Sequence, residues 1–104
     1  MRNATRYFLS IVIKSFRHGG LQDFWETGSQ AGIQARMARR LRIRLSVLDQ
    51  AGDLNDVRLP GYDLHELKGN RKGEGSISVT GNWRVVFRMD APNEVTIVNL
   101  EDYH

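Results

Sequence analysis

The sequence predicts an α+β domain in which an N-terminal strand and two helices pack on a curved, mainly antiparallel sheet. Three observations carry that expectation. Ile33, Met37, Leu41, Leu45 and Leu48 recur at three- and four-residue intervals, the stripe of an amphipathic helix. Two alternating polar and apolar runs, residues 76–80 and 83–88, flank Gly81-Asn82, a two-residue hairpin signal. The order strand, helix, helix, then consecutive strands is that of an α+β fold.

Each element can be justified in turn. Residues 11–16 are β-branched and apolar and predict the first strand. His18-Gly19-Gly20 reads as a turn. Leu21, Phe24 and Trp25 fall at helical spacing, so residues 21–26 predict a short helix closed by Gly28. The apolar stripe places the long helix at residues 30–50, stopping at Gly52. A polar loop with Pro60 follows to Gly61. Strand character returns at residues 62–67, then a Gly- and charge-rich loop spans residues 69–75. In the strand after the hairpin, Trp83, Val85 and Phe87 share one face and Arg84, Val86 and Arg88 the other. Ala91-Pro92-Asn93 turns the chain into a last strand at residues 95–100.

Bulk properties narrow the class of function. One domain suits 104 residues. With no cysteine, disulfides and thiolate zinc sites are excluded, and a reducing cytoplasm fits. Fifteen Lys and Arg against twelve Asp and Glu leave a net charge of +3, which leans toward a polyanionic partner. Arg2 and Arg6 precede a seven-residue apolar run, 7–13, that Lys14 ends. The run is too short to span a membrane and no small-residue cleavage site follows it, so it reads as a strand.

Four features can carry chemistry. Arg36, Arg40 and Arg44 are four apart and line one side of the predicted long helix, beside Arg39 and Arg42. Such a row can follow a phosphate backbone, and equally can be a solvated face or a dock for an acidic protein. His65 and Lys68 sit in Leu64-His65-Glu66-Leu67-Lys68-Gly69, on opposite strand faces unless the strand end turns Lys68 around. The loop carrying Arg71 and Lys72 is followed by Arg84, which the alternation places on the solvent side of a central strand. Asp102-Tyr103-His104 gathers a carboxylate, a phenol and an imidazole directly after a strand. There is no GxGxxG, P-loop, HExxH or acidic cluster, and His18, His65 and His104 lack metal-ligand spacing, so neither a metal nor another cofactor is expected.

These segments, in this order, resemble the HigB toxins, a branch of the RelE/ParE-like toxins of bacterial toxin–antitoxin pairs. The resemblance rests on residues 13–18 and 21–28, Leu59-Pro60-Gly61-Tyr62, residues 64–69, Arg71-Lys72-Gly73, residues 76–79, Asn82-Trp83-Arg84 and Glu101-Asp102-Tyr103-His104. It implies a RelE-like fold over residues 12–104. Residues 1–11 would then be an N-terminal extension, or Val12 the natural initiator. It implies ribosome-dependent, metal-independent cleavage of messenger RNA in the decoding site by a cytoplasmic toxin. The implied partner is a helix-turn-helix antitoxin of the HigA type, through which alone operator DNA would be reached. Carried over by position, His65, Lys68, Arg84, Asp102, Tyr103 and His104 would be catalytic. Arg71 would be a substrate contact, and the charge of Arg36, Arg40, Arg44 and Lys72, read from the residues themselves, makes them the candidates for binding RNA or ribosome. Gly75 departs from the family, which often has an aromatic residue there; if that aromatic stacks on a base, substrate preference would differ. Two other readings stay open: a ParE-like gyrase inhibitor, which needs no histidine-bearing terminus, and a non-catalytic RNA-binding module.

Overall fold

A computed structural model describes residues 13–91 and 94–103. Residues 1–12, Pro92, Asn93 and His104 lie outside the described residues, and with them part of the predicted first strand and one predicted site residue. The elements are β1 (Ile13–Phe16), α1 (Gly19–Thr27), α2 (Ala38–Leu48), β2 (His65–Glu66), β3 (Glu74–Thr80), β4 (Trp83–Ala91) and β5 (Glu94–Asp102), with 3-10 turns at Ala35–Met37, Leu54–Val57 and Gly69–Arg71. The sheet order is β1-β5-β4-β3-β2. Only the β1–β5 pair is parallel; β5–β4, β4–β3 and β3–β2 are antiparallel.

Helix α1 starts two residues earlier than expected because His18 caps it. The His18 Nδ1 accepts from the Leu21 N–H at 3.0 Å, so Gly19 and Gly20 form the first turn. Gly20 is required by close approach: a Cβ there would lie 2.7 Å from the carbonyl oxygen of Gly32. The other end is the expected left-handed cap, with Gly28 at φ +83° and its N–H on the Phe24 carbonyl.

Helix α2 is shorter than its apolar stripe suggested. Residues 30–34 are not helical; the chain there packs backbone against Gly20 and enters the helix through the 3-10 turn at Ala35–Met37. Met37, Leu41, Leu45 and Leu48 are fully buried as the stripe requires, but Ile33 joins the core from a loop. The spacing was right about burial and wrong about conformation, because an apolar residue in a packed loop satisfies the same pattern.

Both helices cover one sheet face. Leu21, Phe24, Met37, Leu41, Leu45 and Leu48 pack with Ile77, Val79, Val85, Phe87, Val95, Ile97 and Leu100. Register irregularities shape the opposite face. Val86 pairs with Asn99 while Phe87 pairs with Ile97, so Val98 is an extra residue, a β-bulge. Before the bulge Val95 and Ile97 face the helices; after it Leu100 does, and Asn99 and Glu101 turn to the open face.

The predicted strand at residues 62–67 is reduced to His65–Glu66. Its flanks still reach β3: the Ser78 N–H donates to the Tyr62 carbonyl at 2.7 Å, and the Leu67 N–H to that of Glu74 at 2.8 Å. Between them Asp63 takes φ +47°, a left-handed conformation that breaks the ladder. Its carbonyl is bonded instead by the Arg84 side chain.

Candidate active site

On the open face, the ends of β2, β3, β4 and β5 bring together side chains distant in sequence. His65 pairs with Ser76, so the two share a face, and Arg84 reaches the same place from β4. Arg84 is not the solvent-facing cation that strand alternation suggested. It is only 8% exposed. Its Nε donates to Ser76 Oγ at 2.8 Å, Nη2 to the carbonyls of Ser76 and Asp63, and Nη1 to Asp63 Oδ2 at 3.5 Å. A buried guanidinium needs such partners, and these fill the gap left in the β2–β3 ladder.

Asp63 was not singled out by sequence. Its Oδ1 lies 3.4 Å from His65 Nε2 while its Oδ2 faces Arg84. His65 is therefore a solvent-facing imidazole, 61% exposed at the side chain, resting against a carboxylate. An aspartate two residues before a histidine carries no recognisable motif; only the kink at Asp63 makes the pair.

The other half of the site is built on Arg71. Its guanidinium bonds Glu74 on β3 at 3.0 Å and reaches across β4 to make a bidentate pair with Glu101 on β5 (2.7 and 3.1 Å). The expected substrate contact is thus engaged within the protein. Tyr103, anchored by its N–H on the Asn82 carbonyl, lies beside Glu101. Burial first, then the negative charge of Glu101, pushes the Tyr103 phenol above its ordinary range. The Arg71 hydrogen bonds hold the Glu101 carboxyl below its ordinary value. Glu101, another residue the sequence reading passed over, is the carboxylate beside Tyr103 and Arg71. Asp102 pairs with Trp83 and so belongs to the opposite face of β5. His104 lies outside the described residues.

A depressed carboxyl pKa stabilises the fold above the ordinary carboxylate value, and that contribution is lost as pH falls through the lowered one. Glu101→Gln is accordingly expected to cost about 1 to 2 kcal/mol near neutral pH. The gap to the parent should close as the pH drops below 4.5, the ordinary value. Urea denaturation across that range checks it; a gap independent of pH would show that Glu101 acts by packing alone.

Lys68 and Lys72 are exposed and line a cleft of about 660 Å³ with Leu54, Leu67, Phe87 and Met89. Lys68 lies beyond Glu66 and Leu67, at the turn that follows β2. Gly75 opens onto this cleft: a Cβ there would meet the Phe87 ring at 3.0 Å. An aromatic side chain at position 75 would thus point toward Phe87, on the helix side of the sheet. It would not form a stacking platform on the open face with His65.

The arginine row is divided by the fold. Arg36 falls in the 3-10 turn and bonds Gln34. Arg40 and Arg44 tie α2 to the end of β3, donating to the carbonyls of Val79 (3.4 Å) and Ser78 (2.8 Å), and Arg44 stacks on the Tyr62 ring at 4.4 Å. Arg44→Ala is expected to lower stability by about 1 to 2 kcal/mol, and Arg36→Ala by under about 0.5 kcal/mol. Equal effects in thermal melts would contradict the division.

Among the described residues no group of three or more His, Asp or Glu is placed to hold a metal, and no helix is long and apolar enough to cross a membrane. Residues 14–104 match the family described as the RelE-like toxin of type II toxin–antitoxin system HigB. The chain belongs to the HigB-like toxins. This HigB-like toxin is also 40% identical over 93 residues to the Endoribonuclease HigB of Proteus vulgaris, a match covering 89% of this chain and all of that one. Its fold resembles two structures from Staphylococcus aureus. One is a YoeB–YefM complex (TM-score 0.58, 19% identity, 88% of this chain and 97% of the other). The second is a YoeB dimer (TM-score 0.58, 18% identity, 91% and 98%). As the toxin of a type II pair, the HigB-like chain has an antitoxin as its partner.

Proposed function

We propose that this HigB-like toxin cleaves messenger RNA in the decoding site of the ribosome, without a metal, and so arrests translation. The chain is an endoribonuclease. RNA carries its own nucleophile, the 2′-OH. Attack on the adjacent phosphorus releases the 5′-oxygen and leaves a 2′,3′-cyclic phosphate. One proton must leave the 2′-oxygen and one must reach the 5′-oxygen, and the phosphorane between them carries extra charge.

The observation that supports this reading best is the exposed His65 imidazole at the rim of the open face, backed by Asp63 and the buried Arg84. His65 and His104 serve the proton transfers, and Asp102, at the end of β5 and on its other face, is assigned an assisting role with them. Tyr103 orients a base. Lys68, exposed at the neighbouring turn, meets the phosphorane; Arg84 contributes charge from beneath. Arg36, Arg40, Arg44 and Lys72 serve as contacts to ribosomal or messenger phosphates. The ribosome bends the message into line, which the isolated toxin does not do. An antitoxin of the HigA type, with a helix-turn-helix domain, would neutralise the toxin and provide the link to operator DNA.

The test is in vitro translation with purified toxin and mapping of message ends. Cuts within the reading frame, with 5′-hydroxyl ends and only on translated messages, are expected. Toxicity with intact messages and DNA damage would replace this reading by gyrase inhibition. A chain starting at Val12 should arrest growth as the full chain does, because the family match begins at residue 14; a folded but inactive shortened chain would assign residues 1–11 a function.

A further inference from the structure

We propose that Asp63 is a positioning residue for His65, an inference that rests on the endoribonuclease reading of this site. Three facts carry it. Asp63 Oδ1 sits 3.4 Å from His65 Nε2. The backbone of Asp63 holds φ +47°, a left-handed conformation that glycine adopts freely and that aspartate and asparagine adopt at less cost than most residues, so the turn that aims the carboxylate is locally encoded. And Asp63 is itself fixed from behind, since Arg84 grips both its carbonyl and its Oδ2 while anchored on Ser76.

The contacts form a closed circuit. Ser76 pairs with His65 in the β-ladder, binds Arg84 through its hydroxyl and carbonyl, and Arg84 returns through Asp63 to the His65 ring. A long-lived orientation of an exposed side chain needs such an over-determined support. The carboxylate is acceptor-only when ionised, so the nitrogen facing it carries the hydrogen. Nε2 is thereby kept as N–H, and Nδ1 is the nitrogen left to exchange a proton with RNA. In the free protein both partners are largely exposed and the pair contributes little to stability. Its contribution is to aim the ring before RNA excludes water from the face.

The left-handed backbone supplies a clean test. Asp63→Gly removes the carboxylate with its Oδ2–Arg84 contact but keeps the left-handed backbone at no steric cost and leaves the Asp63 carbonyl to Arg84, so the melting midpoint should stay within about 5 °C of the parent's. Side-chain nitrogen shifts of His65 should report a single Nε2–H tautomer in the parent and the mixture of a free imidazole in the variant. Three-bond couplings should report one χ1 rotamer giving way to an average. In translating extracts kcat should fall about ten-fold while KM stays within about two-fold. Asp63→Asn keeps one acceptor oxygen of two and should fall between parent and glycine variant. An unchanged His65 tautomer and rotamer in Asp63→Gly would overturn the inference whatever the enzyme does. Altered ring spectra with unaltered cleavage would also overturn it if His65→Ala is inactive. If His65→Ala is itself fully active, the reading of the site fails instead.

Discussion

Replacing His65 by Ala is expected to lower messenger cleavage by about 10²-fold or more while the protein stays folded. The separation follows from its position. His65 is exposed and its ring rests against the exposed Asp63 carboxylate, so stability should change by less than about 0.5 kcal/mol. Removing His104 should have a similar effect on cleavage, and the double variant should lose less than the product of the two if both imidazoles serve one proton-transfer step. Ribosome association should persist in each, because the cations that would bind phosphate lie elsewhere. The measurements are single-turnover cleavage on programmed ribosomes, ribosome pelleting and thermal melts. Full translation arrest by a folded protein lacking both histidines would sink the catalytic assignment.

Arg84→Met is expected to act on fold and activity together. It removes four hydrogen bonds at a site only 8% exposed, two of them to the backbone carbonyls of Asp63 and Ser76. The expected loss is about 3 kcal/mol, with cleavage reduced because Asp63 and His65 lose their support. Arg84→Lys keeps the charge but not the planar fork, and one ammonium cannot reach Ser76 Oγ, Ser76 O and Asp63 O in the same way. Lysine should therefore recover less than half of the stability. A solvent-facing cation would behave otherwise: methionine would leave the melt unchanged and lysine would restore most of the activity. Urea titrations of both variants decide between them.

That contrast marks how far the residues could be read before the fold was known. Alternation along β4 correctly separated Arg84 from Trp83, Val85 and Phe87. It could not say what covers the second face. Arg71 reaches across that face from a 3-10 turn, and Asp63 closes the rim, thirty and twenty-one residues from their respective partners, Glu101 and Arg84. The register also sets Glu101 beside Tyr103 and Arg71 and puts Asp102 on the other face of β5, a division that residue spacing alone did not give. The arginine row was read as one helix face, yet Arg36 lies outside α2 because Gly20 and Gly32 bring two backbones together and delay the helix start.

By itself the sequence determined the order of the elements, the hairpin at Gly81-Asn82, the buried stripe from Met37 to Leu48 and the set of segments that mark a HigB-like toxin. All of these are local patterns, carried by spacing within a few residues. The tertiary structure alone decided that Asp63 backs His65, that Arg84 is buried and that Glu101 joins Arg71. The reason is physical. One extra residue at Val98 reverses the facing of everything after it in β5, and one left-handed residue at Asp63 opens a gap that a guanidinium from another strand must fill. Neither event leaves a periodic trace in the chain that undergoes it.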